Sequence, residues 1–173
     1  MNLFALNSPS ITGEVLCPGD KSISQRAVII GSLINQDITI EGFLNGEDPI
    51  STINALNAIG SSIEINNTSV IIKKRETAFS SPKDDVDLGN SGTGMRLLMG
   101  LISSLGINVR LVGDKSLSKR PMLRVSEPLN LMGANILCRD GMPPVQITKG
   151  NIKSNFSYDM PIASAQVKSS IIL

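Results

Sequence analysis

The chain has 173 residues, enough to bury a hydrophobic core, and 41% of them are hydrophobic, whereas only 3% are aromatic. Sixteen Lys and Arg against fifteen Asp and Glu leave a net charge of +1, so no overall field favours nucleic acid or an anionic membrane. Histidine is absent, which excludes histidine bases and ligands, and the separated Cys17 and Cys138 indicate neither a metal motif nor a disulfide framework.

Helix and strand patterns alternate from the start of the chain. Apolar residues at helical spacing predict the helices, Pro49 suits a first helical turn, and Gly60 is placed to end the second helix. Short apolar runs predict strands, with Asn66-Asn67 as a hairpin turn. The predicted elements are a helix over 22–34, a strand over 38–40, a helix over 47–59, and strands over 63–65 and 70–72.

The same order returns in the next stretch. The predicted elements are a strand over 86–88, a helix over 91–104, a strand over 109–112, a helix that opens at Pro121 and ends before Gly133, and strands over 135–138 and 145–147. Residues 56–63 align with 129–136 at an offset of 73, while Ser22 and Ser91 are 69 apart and Ser91 and Ser164 are 73 apart. This pattern is typical of an internal βαβαββ repeat.

A third copy of the repeat begins near Ser164. The chain stops about two turns into that predicted helix without a C-cap, so we expect the N-terminal portion of a longer protein. A short terminal helix docked on the core is the alternative. The predicted units are 19–85, 86–150 and an incomplete 151–173.

Three predicted helix starts carry small polar residues, with a cation about one turn later. These segments run from Lys21 to Arg26, from Asn90 to Arg96 and from Ser164 to Lys168. A helix N-terminus exposes unpaired N–H groups and a partial positive charge, so it attracts anions. Three such starts in one chain predict a local site for a small, multiply charged anion.

Motifs around these helix starts carry a family resemblance. The segments are Pro18-Gly19-Asp20-Lys21-Ser22-Ile23-Ser24-Gln25-Arg26-Ala27, Leu88-Gly89-Asn90-Ser91-Gly92-Thr93-Gly94-Met95-Arg96-Leu97, Lys119-Arg120-Pro121-Met122 and Ser164-Ala165-Gln166-Val167-Lys168-Ser169, with Asp140-Gly141-Met142-Pro143-Pro144 as a weaker match. In order and spacing they resemble the 5-enolpyruvylshikimate-3-phosphate synthase (3-phosphoshikimate 1-carboxyvinyltransferase) family. The resemblance covers essentially the whole chain.

The resemblance implies an α/β fold of two lobes, each built from three βαβαββ units, the inside-out α/β barrel of enolpyruvyl transferases. Residues 1–18 would be one or two strands of the other lobe, and 19–173 would belong to the lobe that binds shikimate 3-phosphate. The family transfers the enolpyruvyl group of phosphoenolpyruvate to the 5-hydroxyl of shikimate 3-phosphate and releases phosphate, in the shikimate pathway to chorismate and aromatic amino acids. The family uses no cofactor or metal, is usually monomeric and is the target of glyphosate.

The matched positions imply two sets of ligand-binding residues. The shikimate 3-phosphate set is Lys21, Ser22, Arg26, Ser164, Ala165 and Gln166; the phosphoenolpyruvate set is Lys21, Asn90, Gly92, Arg120 and Gln166. Arginine offers a planar fork to phosphate oxygens, and glycine lets backbone N–H groups approach a ligand. No residue is a convincing catalytic acid or base, so the family's acid and base are expected after Leu173, and residues 1–173 alone are expected to be inactive.

Structural roles are alternatives for the same residues. They are a solvated surface lysine for Lys21, an N-cap for Ser22, an ion pair for Arg26, an ordinary loop for Asn90 to Gly94, and an exposed loop residue for Arg120. Arg96 is interpreted as structural or as a residue that supports those binding the ligand, and Lys168 is interpreted as structural. Asp48 is interpreted as a helix N-terminal or ion-paired residue rather than a catalytic one.

Two other functions are alternatives. UDP-N-acetylglucosamine enolpyruvyl transferase has a similar fold and the same donor, but that family has a Lys-Asn pair and a reactive loop cysteine, whereas Lys21 here precedes Ser22 and 115–120 lacks cysteine. A non-catalytic anion-binding or assembly module is the second alternative. The predicted partners are the two small-molecule substrates, without nucleic acid or membrane. The start lacks a signal-peptide pattern and no apolar run is long enough to span a bilayer, so we expect a cytoplasmic protein.

Overall fold

Helices and strands alternate throughout the computed structural model, which describes residues 3, 4, 7, 10 and 12–173. The elements of this part are α1 (Lys21–Leu33), β1 (Ile38–Ile40), α2 (Glu47–Ala58), β2 (Ile63–Asn66), β3 (Ser69–Ile72), β4 (Val86–Asp87), α3 (Gly92–Leu105), β5 (Val109–Val112), α4 (Leu123–Met132), β6 (Asn135–Arg139), β7 (Met142–Thr148) and α5 (Ala165–Ile172). A short 3-10 helix, Leu117–Lys119, precedes α4. The predicted order of helices and strands is therefore confirmed from α1 onwards.

Two sheets divide the strands between the predicted repeats. In the first, β3 lies between β1 and β2 and is antiparallel to both. In the second, the order is β4-β5-β7-β6, with β4 and β5 parallel and the other pairs antiparallel. The stretch from β4 to β7 is thus a βαβαββ unit, and the stretch from α1 to β3 has the same order without a first strand in the described residues.

The strands expected within 1–18 fall partly on residues 1, 2, 5, 6, 8, 9 and 11, which lie outside the described residues. Residues 12–18 carry no helix or strand and are exposed. Their assignment to another lobe therefore stays a prediction.

The internal repeat is confirmed by two asparagines in equivalent positions. The Asn57 side chain donates to the Ile63 carbonyl and accepts from the Ile63 N–H, both at 2.9 Å. Asn130 makes the same pair of bonds with Ile136, again at 2.9 Å. Each asparagine ties the last turn of a helix to the strand that follows.

Glycine ends the second helix of each repeat, as predicted. Gly60 and Gly133 have φ values of 112° and 108°, which residues with a Cβ rarely adopt. The hairpin turns correspond as well, because Asn67 and Asp140 have φ values of 53° and 51°. The first turn lies at Asn67 and Thr68, one residue later than predicted.

Two predicted helix starts need correction. The prediction that α4 opens at Pro121 is wrong: the helix begins at Leu123, because the Pro121 carbonyl accepts from Arg96 and the Met122 N–H donates to Gly141. The alternative that Ser22 is the N-cap of α1 is also wrong, because the Asp20 carboxylate accepts from the Ile23 N–H at 2.8 Å. The N-caps of α1, α3 and α5 are then Asp20, Ser91 and Ser164, respectively.

Helix α3 forms the centre of the core, because its sequence is apolar on nearly every side. Leu97, Leu98 and Leu101 are fully buried, and the helix contacts all four of the other helices. Its closest contact is with α5, where Gly100 leaves so little room that an added Cβ would lie 2.0 Å from the Ser170 carbonyl oxygen. This close packing holds the last turn of α5 against the middle of α3.

Candidate anion-binding site

The N-terminal ends of α1, α3 and α5 lie side by side. Gln25 of α1 donates to the Ser91 hydroxyl at 2.7 Å, and Gln166 of α5 donates to the Thr93 hydroxyl at 2.9 Å. One turn further on, Arg26 of α1 donates to Ser169 of α5 at 3.1 Å. The first turns of three helices and their three partial positive charges therefore share one end of the molecule, and in each first turn one N–H group is bonded to the capping side chain.

Three arginines surround the starts of α3 and α5. Arg96 is buried, and its guanidinium donates to the Gln166 side-chain oxygen at 3.0 Å and to the Pro121 carbonyl at 3.0 Å. Arg124 donates to the same Gln166 oxygen at 3.3 Å. Arg120 donates to the backbone carbonyl of Asn90 at 3.3 Å and to the Asn90 side-chain oxygen. The three guanidiniums thus converge on uncharged partners.

None of these three arginines forms an ion pair with a described residue, although Asp114 lies close enough to Arg120 for their charges to interact. Among the described residues, the ion pairs formed by lysine and arginine are Lys21–Asp48, Lys73–Asp37 and Arg110–Asp85, and none includes Arg96, Arg120 or Arg124. Burial, followed by repulsion from Arg124 and then from Arg120, lowers the pKa of Arg96 to about 10. The group stays charged at neutral pH, so an anion bound here would relieve the repulsion.

Asn90 is held by a carboxylate on its other side. Its amide nitrogen donates to Asp114 at 2.7 Å, which turns the amide oxygen towards Arg120. The second Asp114 oxygen accepts from the backbone N–H groups of Ser116 and Leu117 at 2.9 and 2.7 Å. The Leu117 backbone bond, followed by the bond from Asn90, lowers the pKa of Asp114. The sequence analysis did not identify Asp114 as part of the site. The pattern that could have indicated it is an Asp-x-Ser turn before a short helix.

Gly92 lies between two guanidiniums. A Cβ at this buried position would lie 3.1 Å from Nη1 of Arg120 and 3.4 Å from Nη1 of Arg96. Both atoms are ends of flexible side chains, so a methyl group would displace the arginines rather than the backbone. Glycine is required at position 94 for a different reason: an added Cβ would lie 2.6 Å from the Thr52 hydroxyl oxygen.

Lys21 is the first residue of α1 and forms an ion pair with Asp48 at 2.8 Å. The interpretation of Asp48 as an ion-paired residue in the first turn of α2 is therefore confirmed. The side chain of Lys21 is 52% exposed, and its ammonium group has three N–H donors. Donors beyond the one given to Asp48 are therefore available to a second anion.

Arg26 and Ser22 share one face of α1, as predicted from their spacing. Arg26 donates to the Ser22 backbone carbonyl at 3.2 Å and bridges to Ser169, and it forms no ion pair among the described residues. Ser164 caps α5, because its hydroxyl accepts from the Val167 N–H at 3.4 Å. Ala165 is then the exposed first residue of that helix.

The predicted ligand-binding residues line separate clefts on the described surface. Ser164 and Arg124 line a cleft of about 180 Å³, and Arg26 lines an apolar cleft of about 130 Å³. Both are smaller than the roughly 300 Å³ at which ligand pockets begin. Arg120 lines an open depression of about 630 Å³ with Asp114. None of these clefts contains Ser22, Arg26, Ser164 and Gln166 together, although residues of α5 line both the cleft beside Ser164 and the cleft beside Arg26. A pocket shared by these four residues therefore stays a prediction.

Two contributors to this region were missed in the sequence. Arg124 lies one turn beyond Arg120, and Thr93 lies in the first turn of α3, in a motif where only its neighbours were singled out. Arg96 fits its structural interpretation, being buried and paired with Gln166 and Pro121. Lys168 is exposed, and no role follows from its position.

Within the described part of the chain, no group of three or more Cys, Asp or Glu is close enough to hold a metal ion. None of the helices in that part is both long and apolar enough to cross a membrane.

Fold and site together define an α/β protein of repeated βαβαββ units, with arginines gathered where helices α3 and α5 begin. The family model described as EPSP synthase (3-phosphoshikimate 1-carboxyvinyltransferase) matches residues 7–173. The chain therefore belongs to the EPSP synthase family.

Similar proteins agree with this assignment. The 3-phosphoshikimate 1-carboxyvinyltransferase of Legionella pneumophila (strain Corby) is 44% identical over 175 residues, which cover 100% of this chain and 40% of that protein. The protein of the same name from Thermoanaerobacter sp. (strain X514) is 46% identical over 163 residues, covering 94% and 38%. The solved EPSP synthase of Acinetobacter baumannii has a TM-score of 0.85 and 43% identity, covering 92% and 37%. The predicted α/β fold is confirmed, and the chain spans about 40% of the length of these relatives.

Proposed function

We propose that this chain forms the shikimate 3-phosphate-binding part of an enzyme that transfers the enolpyruvyl group of phosphoenolpyruvate to the 5-hydroxyl of shikimate 3-phosphate and releases phosphate. The observation that carries the proposal is the junction of three helix starts with arginines that form no ion pair among the described residues. Both substrates are phosphorylated carboxylates, so each needs such charge. The names of the relatives support the same activity.

In this proposal the helix starts of α1 and α5 hold shikimate 3-phosphate. The residues assigned to it are Lys21, Ser22, Arg26, Ser164, Ala165 and Gln166. Hydroxyl groups and the first N–H groups of α5 would donate to the phosphate, as oxyanions favour helix N-termini. Arg26, free of a carboxylate partner in the described residues, would supply the charge-assisted bond.

The start of α3 is proposed to hold phosphoenolpyruvate. The residues assigned to it are Lys21, Asn90, Gly92, Arg120 and Gln166. Arg120 reaches over Gly92, and Asn90 holds it there through its side-chain oxygen. An anion that binds between Arg120 and Lys21 would be close to the N-terminal end of α1, because the hydrogen bond from Gln25 to Ser91 holds that end beside the start of α3.

The reaction needs a base for the attacking hydroxyl and an acid for the methylene carbon of phosphoenolpyruvate, and that carbon loses a proton again as phosphate leaves. We assign neither role to residues 1–173. Their contribution is to orient both substrates and to stabilise negative charge. The acid and base are proposed to lie in the part of the relatives that this chain does not span, on a second lobe that closes over shikimate 3-phosphate. The proposal places the enzyme in the cytoplasm as a monomer without a cofactor.

A hybrid enzyme tests the proposal. The matched N-terminal portion of the Legionella pneumophila relative is replaced by this chain, and phosphate release is measured with phosphoenolpyruvate and either shikimate 3-phosphate or UDP-N-acetylglucosamine. We expect release with shikimate 3-phosphate alone, and none from the 173-residue chain by itself.

The control is Arg110→Ala, which removes a guanidinium that pairs with Asp85 away from the proposed site. It should leave release unchanged, whereas Arg26→Ala should reduce it by about ten- to a hundredfold. Release with UDP-N-acetylglucosamine would contradict the acceptor assignment. A folded hybrid that binds shikimate 3-phosphate without releasing phosphate would indicate an anion-binding module instead.

A further inference from the structure

The orientation of the Gln166 side-chain amide is fixed by the chemistry of its neighbours. Arg96 and Arg124 approach one amide atom at 3.0 and 3.3 Å. A guanidinium donates hydrogen bonds and accepts none, so the atom that faces both arginines must be the oxygen. The amide nitrogen then faces the Thr93 hydroxyl at 2.9 Å. Three elements, α3, α4 and α5, therefore determine which way this amide points.

The hydrogen-bonding capacity of the amide leaves one group available. The oxygen has two lone pairs, which the two guanidiniums use, and the nitrogen has two hydrogens, of which one is given to Thr93. The second hydrogen has no partner among the described residues. Gln166 can therefore offer a ligand only a donor, which suits a phosphate, carboxylate or hydroxyl oxygen.

Arg124 forms no ion pair among the described residues, although an acidic residue lies on the same helix. It is exposed on α4, it lines the cleft beside Ser164, and Glu127 of the same helix lines that cleft without forming an ion pair with it. Its guanidinium instead donates to an uncharged amide on another helix, 42 residues away in sequence. Arg96, by contrast, also supports the Pro121 carbonyl and is part of the core.

We propose that Arg124 is a positioning residue, which holds the Gln166 amide oxygen together with Arg96 so that the remaining amide N–H points to an oxyanion of the substrate. The inference rests on the proposed function, in which Gln166 contacts both substrates. It predicts that Arg124 acts through Gln166 and makes no separate contribution to substrate binding.

A double-mutant cycle in the hybrid enzyme tests the coupling. Arg124→Ala should raise the KM for shikimate 3-phosphate about tenfold, the effect of one charge-assisted hydrogen bond, with a much smaller change in kcat. In a Gln166→Ala background the same change should have no further effect. Arg124→Lys should recover most of the loss, because an ammonium group can also donate to the oxygen. Equal losses in both backgrounds would overturn the proposal.

Gln166→Glu separates positioning from a purely structural role. A carboxylate at position 166 would pair with Arg96 and Arg124, so the melting temperature should rise. It would also lack the amide N–H, so the KM for shikimate 3-phosphate should rise by about ten- to a hundredfold. Measured on the 173-residue chain, the rise in melting temperature should disappear when Arg124→Ala is added.

The two proposals fail in different ways. If the unsubstituted hybrid releases no phosphate, the proposed function fails, and the melting temperatures still decide whether Arg124 holds residue 166. If the hybrid is active and Gln166→Glu neither raises the melting temperature nor weakens binding, the positioning role is wrong. Arg110→Ala is the matched loss of an arginine and should change neither quantity beyond the small effect of an exposed ion pair.

Discussion

At the scale of single residues, Gly92 at the start of α3 determines how closely the Arg120 guanidinium can approach the backbone. Gly92 leaves space for Nη1 of Arg120, which a Cβ would approach to 3.1 Å. Gly92→Ala should therefore displace that guanidinium, raise the KM for phosphoenolpyruvate and weaken inhibition by glyphosate, with a change in unfolding free energy below about 1 kcal/mol. Steady-state kinetics of the hybrid enzyme give the first two quantities. Unchanged KM and inhibition would mean that the anion binds elsewhere.

Asp114 accepts a hydrogen bond from Asn90 in the same region, and its contribution to stability depends on pH. The pKa of its carboxyl is lowered in the folded protein, chiefly by the Leu117 N–H and then by Asn90. Its stabilisation is therefore complete above the ordinary value of 3.8 and is lost as the pH falls through the lower folded-state pKa. Urea unfolding of the parent chain and Asp114→Ala should differ at neutral pH and converge in acid. A difference that persists below the folded-state pKa would contradict this account.

At the scale of elements, the contact between α3 and α5 sets the position of Gln166. An added Cβ at Gly100 would lie 2.0 Å from the Ser170 carbonyl oxygen, a backbone atom that cannot move independently of α5. Gly100→Ala should thus destabilise the chain by about 1–3 kcal/mol, despite the gain of about 1 kcal/mol in helix propensity. Urea unfolding measures the change, with Gly92→Ala as the control in the same helix. Equal stabilities of the two variants would show that the helices can separate at little cost.

The two repeats should also respond alike to equivalent changes. Asn57 and Asn130 each make two hydrogen bonds of 2.9 Å to the following strand. Replacing either by alanine should cost about 1–3 kcal/mol, because it leaves strand backbone groups without partners. Denaturation of both variants should give similar losses. A loss confined to one of them would mean that the repeats are equivalent in shape but not in energy.

Much of the element order could be predicted because local signals determine it. Gly60 and Gly133 end their helices where a positive φ is required, and the alternating runs identify the hairpins. The N-cap of α1 was not predicted, because only Ser22 was considered for that role, whereas in the fold the Asp20 carboxylate accepts from the Ile23 N–H.

Side-chain partners could not be predicted in the same way. The bonds of Arg124 and Thr93 to Gln166 span 42 and 73 residues and depend on how the helices meet. A family resemblance identifies the residues at a site, whereas the direction in which Gln166 donates follows only from its neighbours in the fold.

For the molecule as a whole, a net charge of +1 does not describe how the ion pairs are distributed. Arg96, Arg120 and Arg124 form no ion pair in the described structure, whereas Lys73 and Arg110 are paired with aspartates elsewhere. The neighbouring starts of α1, α3 and α5 add their partial positive charges at the same end. The proposed function therefore predicts anion binding at this end of the fold, although the chain is almost neutral.

Titration of the isotopically labelled hybrid enzyme with shikimate 3-phosphate, followed by NMR of the backbone amides, tests this central claim most directly. The largest shifts should be those of the first-turn amides of α1, α3 and α5, including Ser22, Thr93 and Ala165, and the Arg26→Ala variant should need a higher concentration for the same shifts. Saturable shifts confined to other surfaces, such as β6 and β7, with these amides unmoved, would contradict it.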